Sequence, residues 1–241
     1  MDLGIRGKTA LVTAASKGLG RAAAMALASE GARVTICARG QQALAEAEAA
    51  IKEAGAEVLA LVDDVTEPDA PARLVAATAE RFGGLDILVA NAGGPPPGRA
   101  LEVDDAALLA AINANLLTSI RLVRESVPWM RRVGWGRICM ISSYSIKQPI
   151  PNLALSNTAR TGLWAWAKTA AADLFPEGIT LNVACPGPHA TERMKQLGGD
   201  GSTMGNPADF GRVVAFLCSQ PTGFLSGAAV NVDGASVQGL L

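Results

Sequence analysis

Short apolar runs alternate with longer, partly polar stretches along the whole chain. Seven of the short runs are rich in Val, Ile and Leu, and most lack the strict apolar–polar alternation of a strand with one wet face. They therefore predict strands that are buried on both faces. The predicted strands are residues 9–13, 33–38, 58–62, 87–90, 136–142, 180–184 and 229–232.

The stretches between these runs predict helices at residues 18–30, 41–54, 68–82, 104–131, 153–174 and 207–219, and Gly31, Gly55 and Gly83 stand where helix C-caps belong. Regular alternation of strand and helix predicts an α/β fold. We expect a doubly wound, mostly parallel, seven-stranded Rossmann-like sheet between two helical layers. Residues 1–241 show no repeat or linker and form one predicted domain, in which we expect the Gly-rich segment 198–206 to be mobile.

The first predicted strand runs into a turn of small residues, from Leu11 to Gly20, that opens the first predicted helix. Such a turn points backbone N–H groups outward at the positive end of the helix dipole, where a phosphate or pyrophosphate binds. The glycines matter because a Cβ there would hold the ligand away from the backbone. We therefore expect dinucleotide binding at Thr13, Ala15, Ser16, Lys17, Gly18, Leu19 and Gly20.

Composition narrows the class of protein and its partners. Apolar residues make up 49% of the chain and charged residues 18%, a surplus that predicts buried helices and a subunit interface. The net charge of −1 gives no reason to expect nucleic acid or an acidic membrane surface, and neither a secretory signal nor an apolar run of membrane-spanning length is apparent. Four cysteines without a C-x-x-C pair and a single histidine predict reduced thiols in a cytoplasmic protein that holds no metal.

Three further motifs follow the Gly-rich turn in order along the chain. They are Asp64-Val65 after the third predicted strand, Asn91-Ala92-Gly93 after the fourth, and Asn182-x-x-x-Pro186-Gly187 with the later Thr191 after the sixth. Together with the turn, in which Ala14 stands where Gly is usual, they resemble the short-chain dehydrogenase/reductase family over almost the whole chain. The resemblance implies that the first motif meets the adenine, the second belongs to the cofactor site, and the third holds the nicotinamide amide.

The charge at the end of the second predicted strand bears on the choice of cofactor. A ribose 2′-hydroxyl needs a carboxylate acceptor there, whereas this chain has Arg39, whose guanidinium suits a 2′-phosphate. Lys17 in the Gly-rich turn adds a second positive charge. The two side chains favour NADP(H) over NAD(H); the alternative is that both are solvated surface charges.

The resemblance also implies a catalytic set of Ser, Tyr, Lys and Asn, of which two are present. Ser143 and Asn115 match the family Ser and Asn, whereas Ser156 and Arg160 stand in place of the Tyr and the Lys. The spacing of four keeps both replacements on one helix face, and Arg160 can still bind the nicotinamide ribose. A serine hydroxyl is a far weaker acid than a phenol, so the usual proton relay is broken.

Another side chain could supply the proton. Tyr144 is the only tyrosine and directly follows Ser143, and Lys147 would lower its pKa if the two meet. His189 follows Pro188 near the nicotinamide end, and its reference pKa of about 6.5 suits general acid catalysis. The alternatives are that Tyr144 is a pocket wall, that His189 faces water, and that water supplies the proton.

These residues favour an NADP(H)-dependent oxidoreductase that resembles the 3-oxoacyl-carrier-protein reductases and acts on a small or carrier-bound carbonyl compound. Two alternatives stay open. One is a nucleotide-binding protein with impaired catalysis, acting as a sensor or partner subunit. The other is a lyase or isomerase that uses Ser156 and Arg160 as an anion-binding pair.

Two further expectations concern the surroundings of the site. The segment 192–206 is short and Gly-rich, which predicts a reduced lid over the substrate. The apolar helices at 104–131 and 153–174 carry Trp129, Trp164 and Trp166. The family resemblance implies that they form a four-helix interface with their copies, which predicts a homodimer or homotetramer.

Overall fold

The computed structural model describes residues 1–198 and 204–240. Its centre is one parallel sheet in the order β3-β2-β1-β4-β5-β6-β7. The chain moves outward from β1 to β3, returns to β4 beside β1, and continues to β7 on the other side. This reversal opens a crevice at the carboxyl ends of β1 and β4, the usual ligand site of doubly wound sheets. The strands are β1 (Thr9–Val12), β2 (Arg33–Ala38), β3 (Val58–Val62), β4 (Ile87–Ala90), β5 (Gly136–Ile141), β6 (Ile179–Pro186) and β7 (Ala229–Val232).

At least one helix lies between each strand and the next along the chain, as parallel pairing of the strands requires. Three of these helices end at a glycine with positive φ or shortly before it, since Gly31, Gly55 and Gly83 have φ of +85°, +84° and +82°. The α-helices of the described chain are α1 (Gly18–Ser29), α2 (Gln41–Glu53), α3 (Ala70–Phe82), α4 (Asp105–Ile112), α5 (Thr118–Val133), α6 (Ala154–Leu174), α7 (Glu192–Gln196) and α8 (Pro207–Leu217).

The core lies in two layers, one on each face of the sheet. Leu27 of α1, Leu44 of α2 and Phe210 of α8 are buried on one face. Leu74 of α3 and Leu122 of α5 are buried on the other, together with residues of α6. Each such side chain stabilises the fold by about 1.5–3 kcal/mol. The predicted seven-stranded sheet between two helical layers is therefore confirmed.

The predicted helix at 104–131 differs from the structure in its interior. It is two α-helices, α4 and α5, joined by a π turn at Asn113–Leu117. The Asn113 side chain is held outside the regular pattern: its Nδ2 donates to the Thr66 carbonyl (3.0 Å), and its Oδ1 accepts from Arg121 (2.7 Å). The Thr118 hydroxyl donates to the Asn113 carbonyl, five residues back, at 2.9 Å. Polar contacts with the neighbouring loop thus accommodate one extra residue in the turn.

The same stretch corrects one expectation drawn from hydropathy. Asp105–Val133 is long and apolar enough to cross a membrane by length and composition, with a mean hydropathy of 1.6 in its most apolar window. In the structure 39% of that window is buried, and α5 packs against β4 and β5. The α5 part of the stretch therefore packs in the sheet's second layer, whereas Ala111 is the one buried residue of α4.

The segment after β6 also has more structure than its composition suggests. Residues 192–196 form α7, and of the predicted mobile segment 198–206, residues 199–203 lie outside the described residues. The described end of that segment is fixed, since Gly205 N donates to the Pro188 carbonyl (2.9 Å) and the Asn206 side chain caps α8. The four cysteines are free and buried, and within residues 1–198 and 204–240 no cluster of side chains is suited to a metal ion.

Candidate cofactor and active site

The Gly-rich turn is tied to the end of β4. Thr13 Oγ1 donates to the Asn91 carbonyl (2.7 Å) and accepts from Asn91 N (2.9 Å). Ala14 then takes a positive φ of +49°, where an L-residue is strained, and Ala15 N donates to the Cys37 carbonyl at 3.0 Å. The turn is therefore braced from both neighbouring strands.

Two glycines shape this turn, since Gly18 takes a positive φ of +55° and Gly20 lies against the backbone of the turn. A Cβ on Gly20 would lie 2.4 Å from the Ala14 carbonyl oxygen and 2.7 Å from Asn91 Nδ2, so only Gly fits. Helix α1 begins at Gly18 with no side-chain cap and no acidic residue in its first turn. Its first N–H groups therefore face the crevice unneutralised, which is the arrangement that binds a phosphate group.

Charged residues stand at the ends of β2 and β3. Arg39 follows β2 with its side chain 79% exposed, and its Nη1 lies 3.6 Å from Asp64 Oδ2. The other oxygen of Asp64 accepts from Thr66 N (3.0 Å) and Thr66 Oγ1 (2.7 Å). Burial raises the pKa of Asp64, but the Thr66 hydrogen bonds and the charge of Arg39 outweigh it, so the net pKa is lowered. Lys17, at the N-cap of α1, is exposed, whereas Val65 is buried.

The third sequence motif lies between β6 and α7. Asn182 is structural, because its Nδ2 donates to the Leu225 carbonyl (2.7 Å) and its Oδ1 accepts from Ala228 N (3.1 Å). Gly187 passes so close to the end of β7 that a Cβ would lie 2.6 Å from the Cα of Asp233. Thr191 caps α7, and its methyl group is 3.5 Å from the position of a Cβ on Gly18. The start of α7 thus lies beside the Gly-rich turn.

Ser156 and Arg160 form a pair inside α6. Arg160 Nε donates to Ser156 Oγ (3.2 Å), and Arg160 Nη1 donates to the Ile141 carbonyl at the end of β5 (3.1 Å). Both residues are buried at 8% exposure, and no carboxylate in the described chain pairs with Arg160. Burial lowers the pKa of the Arg160 guanidinium to about 10, and the nearby charge of Arg193 acts in the same direction. Arg160 is therefore a desolvated cation at neutral pH.

Ser143 and Asn115 lie on elements next to this pair. Ser143 follows β5, and its Oγ accepts from Ser145 N (3.1 Å) at the start of a short 3₁₀ turn, Tyr144–Ile146, that packs on α6. Asn115 lies inside the π turn and is 2% exposed, yet neither Oδ1 nor Nδ2 has a hydrogen-bond partner in the described chain. A buried amide without a partner is costly, which indicates a place for a bound polar molecule.

The structure weakens the two candidate proton donors. Tyr144 is half-buried, and burial and the charge of Asp233 raise its pKa, which is the opposite of the shift expected from activation by Lys147. His189 is 5% exposed, its Nδ1 lies 3.0 Å from the Gly187 carbonyl, and its ring packs edge-on against Phe210 with centroids 5.3 Å apart. His189 is thus a packing residue of the loop: the expectation that it faces water is wrong, and the geometry does not favour it as an acid.

Sequence reasoning missed Arg193. This side chain extends from α7 across the crevice, where its Nη2 donates to the Pro95 carbonyl at 2.5 Å, and its guanidinium lies 3.2 Å from the position of a Cβ on Gly94. The only signal in the sequence is its place two residues after Thr191, and that spacing alone does not separate it from the exposed Lys195.

Comparison with known proteins identifies the family. The family model described as short chain dehydrogenase matches residues 8–200. The chain therefore belongs to the short-chain dehydrogenase family and is an oxidoreductase of that type.

Individual relatives cover nearly the whole chain. The pig (Sus scrofa) dehydrogenase/reductase SDR family member 4 is 30% identical over 98% of this chain and 89% of its own length. The crystal structure of L-sorbose reductase from Gluconobacter frateurii, complexed with NADPH and L-sorbose, is 30% identical with a TM-score of 0.94 and full coverage of both chains. The crystal structure of a variant of actinorhodin polyketide ketoreductase with NADPH is 30% identical, with a TM-score of 0.88 over 94% of this chain and 96% of that one.

Proposed function

We propose that this chain is an NADP(H)-dependent carbonyl reductase, whose reverse reaction is the oxidation of an alcohol. Ser156 and Arg160 take the places of the family Tyr and Lys. One observation carries the proposal. Arg160 Nε donates to Ser156 Oγ, which leaves the Ser156 hydroxyl hydrogen free to be donated in turn to a substrate oxygen. The pair is thus arranged to polarise a carbonyl even though it lacks a phenol.

The cofactor assignment rests on the fit of the crevice. The close approach at Gly20 and the uncapped start of α1 suit a pyrophosphate, and Arg39 suits a 2′-phosphate. Two related reductases of known structure contain NADPH. When bound, NADPH supplies the hydride, while Asp64 and Val65 line the adenine side and Asn91, Ala92, Gly93, Pro186, Gly187 and Thr191 line the remainder of the groove.

The catalytic residues act on the developing negative charge of the substrate oxygen. Ser143 accepts a hydrogen bond from Ser145 N, so its own hydroxyl hydrogen is also free to be donated. Two hydroxyl donors, one of them backed by the Arg160 cation, form an oxyanion site. The proton comes from water, and the unpartnered amide of Asn115 supplies a donor and an acceptor to hold that water.

The substrate class is a carbonyl compound, with 3-oxoacyl derivatives as the first group to examine. A bulky or carrier-bound acyl chain is compatible with α7, which has five residues and is the only helix described between β6 and α8. A short lid excludes water less completely than a long one, which agrees with water as the proton source.

We also propose that the chain forms a homodimer or homotetramer in the cytoplasm. Leu109 on α4 is 65% exposed and Leu117 in the π turn is 38% exposed, on the stretch expected to form the interface. Large exposed side chains on one helical stretch favour contact with a second copy. The four free, buried thiols agree with a reducing compartment. A sedimentation mass equal to one 24.7 kDa chain would contradict the assembly.

The test is consumption of NADPH with a panel of 3-oxoacyl thioesters, 3-oxo acids and diketones. Ser156→Ala is expected to lower kcat about 10- to 100-fold, since a buried, charge-assisted hydrogen-bond donor to the oxyanion is lost. Thr158→Ala is the control, because Thr158 lies on α6 but is exposed. NADPH binding without turnover on any substrate would support the alternative of a non-catalytic nucleotide-binding protein. Turnover that survives Ser156→Ala unchanged would refute the role of the pair.

A further inference from the structure

Two arginine side chains converge on the crevice from opposite elements. Arg160 extends from α6 to the Ile141 carbonyl at the end of β5, and Arg193 extends from α7 to the Pro95 carbonyl in the loop that follows β4. Because β4 and β5 are neighbours, with Ala90 opposite Met140, both guanidiniums lie at the same edge of the sheet. The effect of the Arg193 charge on the pKa of Arg160 agrees with this placement.

Neither guanidinium has a carboxylate partner within the described ranges. The ion pairs found there involve other arginines and lysines, and even Lys195, on the same helix as Arg193, pairs with Glu192 at 2.7 Å. Two like charges in a partly desolvated crevice repel one another unless an anion lies between them. The arrangement therefore costs free energy that a negatively charged ligand would recover.

The two side chains also have unused hydrogen-bond donors. A guanidinium carries five N–H groups, and Arg160 uses two of them, toward Ser156 and Ile141. Within the described chain, Arg193 donates to the Pro95 carbonyl. The remaining donors are sufficient to hold both oxygens of a carboxylate, a geometry that arginine favours.

We propose that Arg160 and Arg193 bind a carboxylate of the substrate, so that the enzyme acts on a free oxo acid in preference to a neutral ester, thioester or ketone. The inference rests on the proposed function, because Ser156 holds the carbonyl oxygen beside Arg160. The Arg160–Ser156 contact keeps the carboxylate and the reacting carbonyl a short distance apart. That spacing indicates 2-oxo or 3-oxo acids as the substrate class.

The test compares acids with their own esters. Initial rates with NADPH are measured for the straight-chain 3-oxo acids from acetoacetate to 3-oxooctanoate, for pyruvate, and for the methyl ester of each. We expect kcat/KM to be about 10- to 100-fold higher for the acids, as charge-assisted hydrogen bonds to a carboxylate imply. Arg193→Met is expected to remove this preference by raising KM for the acids while leaving the esters and the Kd for NADPH unchanged. Lys195→Met, on the same helix, is the matched control and is expected to change neither the preference for acids nor the Kd for NADPH.

Several outcomes would overturn the inference. Equal rates for acids and esters would do so, and so would an Arg193→Met variant that weakens NADPH binding and both substrate types alike, since Arg193 would then hold a cofactor phosphate. Calorimetric titration of acetoacetate and 3-oxooctanoate into protein saturated with NADP⁺ separates this inference from the proposed function. Binding that Arg193→Met abolishes, without turnover, supports the carboxylate site and refutes the reductase. Turnover without a preference for acids supports the reductase and refutes the carboxylate site. If none of the acids binds, the inference is also refuted.

Discussion

The Arg39 side chain provides the sharpest test of the cofactor assignment. Two unit charges 4 Å apart attract by about 1 kcal/mol in water and by about 4 kcal/mol near a protein surface. Because Arg39 is 79% exposed, the lower part of that range applies, about 1–2 kcal/mol. Arg39→Ser is therefore expected to raise the Kd for NADPH about 5- to 30-fold while leaving the Kd for NADH within about twofold.

The measurement is a fluorescence titration of both coenzymes at low and high salt. Because the Debye length is about 8 Å at physiological ionic strength, the preference for NADPH is expected to shrink as salt increases. Arg212→Ser is the control, since Arg212 is 74% exposed and pairs with Asp209 on its own helix. An equal loss of affinity for both coenzymes, or no loss for either, would refute the role given to Arg39.

Three further predictions concern packing and proton supply. Gly211→Ala would place a Cβ 2.3 Å from the Ala22 carbonyl oxygen and so push α8 away from α1. We expect the free energy of unfolding, measured in urea, to fall by about 1–3 kcal/mol. Gly84→Ala is the control, because its Cβ would have nothing within 4 Å, and it is expected to change this free energy little. Tyr144→Phe is expected to keep turnover within about threefold in the NADPH assay, because the raised pKa makes Tyr144 a weaker acid. Turnover is expected to fall above pH 10, where Arg160 loses its proton, and to fall equally in Tyr144→Phe.

High pH is expected to change turnover and the stability contribution of Arg160 in opposite directions, which distinguishes a catalytic role of its guanidinium from a stabilising one. The folded-state pKa of Arg160, about 10, is below the ordinary pKa of a guanidinium. Its burial therefore destabilises the fold at neutral pH, and this cost disappears as the pH rises from about 10 toward the ordinary pKa of a guanidinium. Activity lost above pH 10 while the contribution of Arg160 to the free energy of unfolding becomes more favourable would mark the guanidinium as functional. A pH profile that is flat to pH 11 would contradict the catalytic role.

The sheet could be predicted from the sequence because its five central strands are buried on both faces, whereas the edge strands β3 and β7 are partly buried. A short continuous apolar run such as that of β4 is typical of a buried strand, and the predicted bounds of β2, β3, β4 and β7 match the structure. The Gly-rich turn was equally accessible, since the constraint at Gly20 is a backbone clash that no other residue type can avoid. The strands and the Gly-rich turn depend on residues that are close together in the sequence, and they can therefore be predicted from it.

The features that were missed depend on contacts between distant parts of the chain. The π turn arises because Asn113 bonds to Thr66, which lies 47 residues away. Arg193 reaches Pro95, 98 residues away, and His189 is drawn inward by Phe210. Helical periodicity carries no record of such contacts, and therefore the burial of His189 and the presence of a second arginine at the crevice could not be predicted.

The π turn at Asn113–Leu117 makes the site sensitive to the length of one helix. An α-helix advances by about 100° per residue, because about 3.6 residues complete a turn. Deleting one residue from this turn would restore regular winding while rotating Asn115 by more than a quarter of a turn relative to the helix on one side. The deletion would move the side chains of the turn, Asn113 among them, so the water-holding role proposed for Asn115 depends on the register of the helix as well as on the amide itself.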